Sequence, residues 1–452
     1  MLKTQPKESH NGLFVQILIL ALPIIIENLL QALLGTVDTW FAGKLDDTAI
    51  AAIGATTLVV NMFLAFYTAI SIGASAVITR YVGKKNEKKA SLAAGQAVLL
   101  ALILGAVLGT ISLIFKNPIL ALSGAEGIVL DVAAPYYTIV AVPSVFACLV
   151  LVLSSILRAT KDTVTPMFVS GGANVLNIIL DALFLYMGLG ILGLALATTL
   201  SRVISAIILF YKLTKKKEKK DLNSVQIQLK PNYFLPNKEL LLNITKIALP
   251  AGMEKMFMRI GQVIYNGFIF SISTNAYVAH SVAGTIEYYS YIPAFGFAAA
   301  ASTLVGISLG EKNIEKARHI VWRTWICANV IMIPMGLIYF FASPFLATQF
   351  TETLDVQQQV IQVLRLIAFF QPVLAFSNIF AGALQGAGDT KFPMYATFLG
   401  TWIVHIGLGY LLGIHLGLGL FGIWIGYAMN NVTQSILLYL RFHGNTWTKI
   451  SI

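Results

Sequence analysis

The chain of 452 residues is predicted to be an all-α integral membrane protein with twelve transmembrane helices in two pseudo-symmetric six-helix lobes. Three observations predict this fold. The composition is 57% hydrophobic and only 11% charged, against about 25% charged in soluble domains. Apolar runs long enough to span a bilayer, about 20 residues each, recur twelve times. Motifs in the first half also return in the second half at a constant spacing. The mean hydropathy of +0.78 excludes a soluble enzyme, a disordered chain and a disulfide-stapled module. The two cysteines, Cys148 and Cys327, each sit in a long apolar run and read as small buried hydrophobes.

Taken in order, the predicted spans are 14–40, 50–78, 91–114, 133–157, 164–186 and 191–212, then 243–270, 278–307, 321–341, 360–385, 393–413 and 420–441. The first span is too long for the apolar core of a cleaved leader and reads as a retained anchor. A polar stretch, 213–242, divides the spans six and six. The predicted layout is therefore an N-lobe over 1–212, a linker over 213–242 and a C-lobe over 243–452. The linker opens with Leu213-Thr214-Lys215-Lys216-Lys217-Glu218-Lys219-Lys220. It lacks the interleaved aromatics and motifs of nucleic-acid binders, so it reads as a solvated, flexible cytoplasmic connection. Of the 31 Lys and Arg residues, 25 fall in alternate loops and the termini, whereas the intervening loops and the span edges beside them hold only Lys44, Lys116 and Arg365. The positive-inside rule then places the linker and both termini in the cytoplasm.

The repeat has one dominant spacing of 227 residues. Ala21-Leu22-Pro23 matches Ala248-Leu249-Pro250, and Gly83-Lys84-Lys85-Asn86 matches Gly310-Glu311-Lys312-Asn313. Asp162-Thr163-Val164-Thr165-Pro166-Met167 matches Asp389-Thr390-Lys391-Phe392-Pro393-Met394. Gly190-Ile191-Leu192-Gly193 then matches Gly419-Leu420-Phe421-Gly422 at 229. Six helices repeated in the same order give parallel repeats, a transporter plan with the substrate path between the halves.

Gly386-Ala387-Gly388-Asp389 spells an intramembrane aspartyl protease motif, but its counterpart Ala159-Thr160-Lys161-Asp162 has neither glycine. Both aspartates read instead as helix caps ahead of a proline. No zinc-protease, serine-hydrolase or ATP-binding pattern is present, so the expectation is a non-enzyme driven by an ion gradient.

Ionisable residues within spans cost about 2.5–3.5 kcal/mol each at mid-membrane, which makes them the strongest functional pointers. Eight are predicted there: Glu27, Asp38, Asp181, Arg202, Glu254, Lys255, Arg259 and Glu287. Glu27, Gln31 and Asp38 share one helical face, as do Asn174, Asn177 and Asp181. Spans one and five thus bring carboxylates and carboxamides together in the N-lobe. Two carboxylates at close quarters in low dielectric cannot both stay ionised, so such a pair takes up a proton. Gln31, Asn174, Asp38, Tyr265 and Glu287 are the candidate lining of a substrate cavity. Glu27, Glu254, Lys255 and Arg259 form a candidate cytoplasmic gate, with the bases of span seven pairing with the two glutamates across the lobes. Pro23 removes a helical hydrogen bond and marks a hinge in span one. His280, His405 and His415 lack metal spacing and read as structural. Gly409, Gly413 and Gly417 suit close helix packing in lipid.

With these motifs in place, the chain resembles the multidrug and toxic compound extrusion (MATE) family, within the wider superfamily of polysaccharide and lipid-precursor flippases. The Leu-Pro pairs at Pro23 and Pro250, the Gly-x-x-Asn loops and the Asp-Thr-x-x-Pro loops carry the resemblance over essentially the whole chain. The Asp38 segment and Asn177-Ile178-Ile179-Leu180-Asp181 resemble the DinF-like branch. That resemblance implies a hydrogen-bonded cluster of Asp38, Asn177, Asp181 and Thr199 linked to proton coupling, with bending at Pro23. It further implies a monomeric, cofactor-free antiporter in the cell membrane that exports small organic cations and drugs, with no nucleic-acid partner. The Na⁺-coupled branch carries acids on spans seven and ten; here span ten has none, and Arg259 stands where span seven's acid is expected. This favours H⁺ as the coupling ion, with Na⁺ as the alternative. A lipid-linked oligosaccharide flippase is the rival activity, but the predicted intramembrane acids outnumber the bases, which favours cations.

Overall fold

The computed structural model describes residues 10–215 and 225–450, without the side chains at 10, 11, 38 and 39. Every regular element among the described residues is helical. The first repeat comprises α1 (His10–Gly43), α2 (Asp47–Gly83), α3 (Glu87–Ile114), α4 (Lys116–Leu122), α5 (Gly127–Ala141), α6 (Ser144–Ala159), α7 (Val164–Tyr186) and α8 (Gly190–Thr214). The second comprises α9 (Lys238–Ile272), α10 (Thr274–Gly310), α11 (Ile314–Phe341), α12 (Ser343–Thr348), α13 (Leu354–Ala368), α14 (Gln371–Gly386), α15 (Lys391–Phe398) and α16 (Gly419–His443). Beyond α15 the helix runs on with π geometry over Leu399–Leu408 and Leu411–His415.

All twelve expected spans fall on helices. Among the described residues, eight helices are long and apolar enough to cross a membrane, and two bent pairs raise the number to ten. The pairs are α5 with α6, bent by 43°, and α13 with α14, bent by 58°. A proline stands at each break, Pro143 before α6 and Pro372 in the first turn of α14, where the missing N–H and ring disfavour a straight helix. The other two spans are α9 and α16. Charged and amide residues, among them Lys255 and Arg259 on α9 and Asn430 and Asn431 on α16, lower their apolarity.

The repeated loops are helix-to-helix turns. Asn86 and Asn313 accept from the backbone N–H of Lys89 and Lys316 at 3.0 and 2.9 Å, capping α3 and α11. The residue before each asparagine, Lys85 or Lys312, is left-handed with φ of 55° or 60°. The shift of the repeat spacing from 227 to 229 also has a structural cause. The N-terminal helix α7 has 23 residues of regular α-helix, whereas its counterpart from Lys391 to His415 has 25. The two extra residues are absorbed by the wider π turns, the usual way in which an α-helix accommodates an insertion.

The chain folds as two compact units that differ from the sequence lobes in one respect. One unit combines the residues up to Ile25 with those from Met253 onward, and the other is Ile26–Gly252. The first half of α1 therefore packs with the second repeat, and the first half of α9 with the first repeat. Small residues permit this exchange. A Cβ at Gly296 of α10 would lie 2.4 Å from the Ile25 side chain, and one at Gly252 would lie 3.2 Å from Ala69 of α2. These are the same contact 227 residues apart, with the small partner on alternate helices.

The linker is less free than its composition suggests. Residues 225–237 strap along α3. Fully buried Gln96 donates to the carbonyls of Tyr233 and Leu235 at 2.7 and 2.8 Å, and accepts from the Asn237 N–H at 2.8 Å. Gly95 makes room, since a Cβ there would meet the Tyr233 carbonyl at 2.4 Å. Backbone amides without strand partners need such side-chain acceptors and donors. The expectation of a flexible linker is therefore corrected for this segment, which is held along α3 although Lys230, Pro231, Asn232, Leu235 and Pro236 stay exposed; the rest of the lysine run, 216–224, lies outside the described residues.

Candidate functional site

Helix α7 is turned inside out. Its buried residues are Pro166, Asn174, Asn177 and Asp181, while Val175, Ile178, Ile179 and Leu183 are exposed. In water such a helix would be misfolded. In a bilayer it places its apolar side toward lipid and a polar stripe inward. Asp181 and Asn177 are each only 1% exposed. The Asn177 amide meets Thr198 Oγ1 of α8 at 3.5 Å. Thr199, expected in this cluster, donates instead to the Ile139 carbonyl of α5 at 2.8 Å. Neighbouring residues on a helix point about 100° apart, so the hydroxyl facing Asn177 is that of Thr198. The Nδ2 of Asn174 is buried and meets no acceptor among the described residues.

On α1, the Gln31 amide reaches Ser170 Oγ of α7 at 3.4 Å. The spacing that aligned spans one and five thus corresponds to a real contact between them. The side chain of Asp38 lies outside the described residues, although its backbone continues α1. Pro23 lies inside α1 and Pro250 inside α9, each two residues before the point where the helix passes from one unit to the other.

The C-terminal unit holds a second polar interior, centred on Glu287 of α10, which is 6% exposed. The Tyr427 hydroxyl of α16 faces this carboxylate and bonds to the Tyr291 hydroxyl. No Lys or Arg pairs with Glu287 among the described residues. Tyr265 of α9 packs at a tilt against His405 with ring centroids 4.4 Å apart, and meets His280 edge-on at 5.7 Å. His405 in turn packs against Tyr427 at 5.5 Å, and Trp424 against Tyr427 at 5.2 Å. His405 sits in the π-helical segment, a geometry that often marks functional positions. The two cavity candidates named from sequence in this unit, Tyr265 and Glu287, therefore line one interior. Tyr427 and Tyr291 complete it without being named from sequence, together with His405, which reads as structural from sequence alone. The aromatic run after Glu287 hinted at Tyr291, but nothing local links Tyr427 to a residue on another helix.

Of the four candidate gate residues, Lys255 and Glu254 do pair, though as neighbours on one helix, while Glu27 and Arg259 find other partners. Arg158 of α6 donates from Nη2 to Glu27 Oε2 at 2.6 Å. Gln385 of α14 donates to Glu254 Oε2 at 3.0 Å, while Lys255 lies 3.5 Å from Glu254 Oε1. Arg259 donates to Gln262 at 3.1 Å. Glu27 is thus held by a base of its own unit, not by the bases of α9.

The protease-like motif resolves into packing and charge pairing. A Cβ at Gly386 would lie 2.1 Å from the Ser302 carbonyl, and Gly388 has φ of 86°. Asp389 is bound by Arg441 Nε at 2.7 Å, so the second of the two expected caps is an ion pair. The first behaves as expected: Asp162 accepts from the Thr165 N–H at 3.0 Å. Among the described residues no cluster of His, Cys, Asp or Glu is arranged to hold a metal ion.

Comparison with known proteins places this architecture. The MatE family model matches residues 23–183 and again 250–411, so both matches begin at the repeated prolines. A probable multidrug resistance protein NorM of Thermotoga maritima is 30% identical over 99% of this chain and 96% of its own length. Multidrug export protein MepA of Staphylococcus aureus is 24% identical over 82% and 81%. The structure of an outward-facing multidrug resistance MATE family transporter of the MOP superfamily superposes with a TM-score of 0.88 at 25% identity, covering 97% of each chain. With two MatE matches on two repeated six-span halves, the chain belongs to the MATE family and is a multi-pass membrane transporter.

Proposed function

We propose that the protein is a proton-coupled antiporter that exports amphipathic organic cations, including drugs, by alternating access across the cell membrane, with both termini cytoplasmic. The observation that carries this reading is the inward polar stripe Asn174, Asn177 and Asp181 on an otherwise lipid-facing helix. Such a stripe is costly in a membrane unless it serves an ion or a polar substrate. Asp181, together with Asp38 of the same unit, takes up a proton from outside, and Asn177 and Thr198 orient the carboxyl by donating and accepting. Neutralisation weakens the hold on a cationic substrate, which leaves outward; return to the inward-facing state releases the proton to the cytoplasm. Glu287 and the rings of Tyr265, Tyr291 and Tyr427 suit an organic cation, which is attracted both to a carboxylate and to aromatic faces. One charge crossing 100 mV supplies about 2.3 kcal/mol, enough for a gradient of about fifty-fold.

The test is drug efflux from proteoliposomes with pH and Na⁺ gradients imposed separately. Efflux driven by the pH gradient alone supports the proposal. Efflux driven only by Na⁺ replaces the coupling ion, and movement of a lipid-linked sugar without drug export replaces the activity by that of a flippase. Wild-type pH-driven efflux in Asp38→Asn sinks the assignment of that residue.

A further inference from the structure

The glutamates after the two prolines occupy equivalent places with unequal partners. Glu27 and Glu254 are each the second residue after their helix changes unit, which happens between Ile25 and Ile26 in α1 and between Gly252 and Met253 in α9. Both are 3% exposed. Their partners are also repeat-related: Arg158 and Gln385 lie 131 residues beyond their glutamates. The same tether thus recurs in each unit, once as an ion pair at 2.6 Å and once as a carboxamide bond at 3.0 Å.

The countercharges differ as well. Glu254 has Lys255 beside it on its own helix, 3.5 Å away. The equivalent neighbour of Glu27 is Asn28, so its countercharge comes from α6. Parting Glu27 from Arg158 strands a buried charge, which is strongly unfavourable. Parting Glu254 from Gln385 loses one bond to a neutral donor while Lys255 travels with the carboxylate. Bonds with both partners charged are the stronger and geometrically tighter kind.

We propose that Glu27–Arg158 is a fixed anchor of α1, and that Glu254–Gln385 is a releasable latch that lets the part of α9 beyond Gly252 shift against α14 during transport. Gln385 is then a positioning residue for the conformational step. The inference rests on the alternating-access reading above, but its primary readout is a distance and needs no substrate.

The experiment places spin labels at repeat-related exposed positions within one unit each, Ile26 with Val164 for the anchor and Met253 with Lys391 for the latch, in a background with Cys148 and Cys327 replaced by serine. In the wild type the latch pair shows two distance populations and the anchor pair one. Gln385→Arg, which copies the first repeat, collapses the latch pair to one population and slows turnover about tenfold at unchanged substrate affinity. Gln385→Glu, which repels Glu254, shifts the populations the other way, and Arg158→Gln splits the anchor distribution. A single latch population in the wild type, or two populations persisting in both Gln385 variants, overturns the proposal. If the distances behave as stated while the wild type exchanges no drug for protons, the antiport reading falls and the latch stands.

Discussion

The two repeats share a helix order but differ in what they bury at equivalent places. In the first, α7 carries Asn174, Asn177 and Asp181 inward on a regular helix. In the second, the corresponding helix is widened by π turns and presents Thr401 and His405 instead, with the acid supplied by Glu287 of α10. The tethers after the prolines differ in the same spirit, Glu27 with Arg158 against Glu254 with Gln385. Duplication conserved what local backbone geometry demands, such as the Asn86 and Asn313 caps. Interior chemistry was free to diverge, since each interior has only to satisfy its own polar groups. The lesson is that the two interiors diverged in chemistry: an aspartate-and-amide stripe in one unit, and a carboxylate among aromatic rings in the other.

That contrast can be broken or sharpened by mutation. The largest expected effect is that of Asp181→Asn, which keeps size and hydrogen bonding but cannot exchange a proton. It should cut pH-driven efflux by about a hundredfold, in the range of strong site coupling, while drug binding in the absence of a gradient survives. Equal loss of binding and efflux would make Asp181 a substrate contact and erase the contrast. Next comes Glu287→Gln. Losing one desolvated charge contact should weaken binding of a cationic drug by about 2 kcal/mol, with little change for a neutral analogue, as read by calorimetry. Pure loss of thermal stability would instead mark a structural acid.

The tethers come third. Arg158→Ala strands the buried carboxylate of Glu27 and should destabilise the protein by about 3 kcal/mol. Gln385→Ala should cost only about 1 kcal/mol. Chemical unfolding in detergent compares the two, and equal costs would remove the asymmetry. The smallest expected effect is that of Gln96→Ala, which frees the strap at 233–237. Efflux should stay within about twofold, because hydrogen bonds to backbone near water are worth about 1 kcal/mol each. Trypsin should nevertheless cut at Lys238 faster than in the wild type. Unchanged cleavage would show that the strap is held by its apolar contacts alone.

Much of the fold was legible because membrane spanning is a matter of composition over about 20 residues, and all twelve runs fall on helices. The site was legible in part. Asn174, Asn177 and Asp181 were found from spacing on one helix, whereas Thr199 was placed one residue away from the hydroxyl that meets Asn177. Tyr427, Arg158 and Gln385 were missed because their partners lie 140, 131 and 131 residues away, and helical periodicity carries no information at that range.

By itself, the sequence determined the lipid-soluble class, the twelve spans, the six-plus-six repeat and, through the shift in its spacing, that the second copy holds two extra residues. These properties depend on local periodicity and on the cost of charge in hydrocarbon, both of which are written residue by residue. Only the tertiary structure decided that the halves of α1 and α9 are exchanged between units, that the extra residues become π turns, and which partner each buried carboxylate takes. Those outcomes depend on which small residue lets which helix approach, as at Gly252 and Gly296. Close packing between distant segments is a property of shape, and shape exists only once the chain has folded.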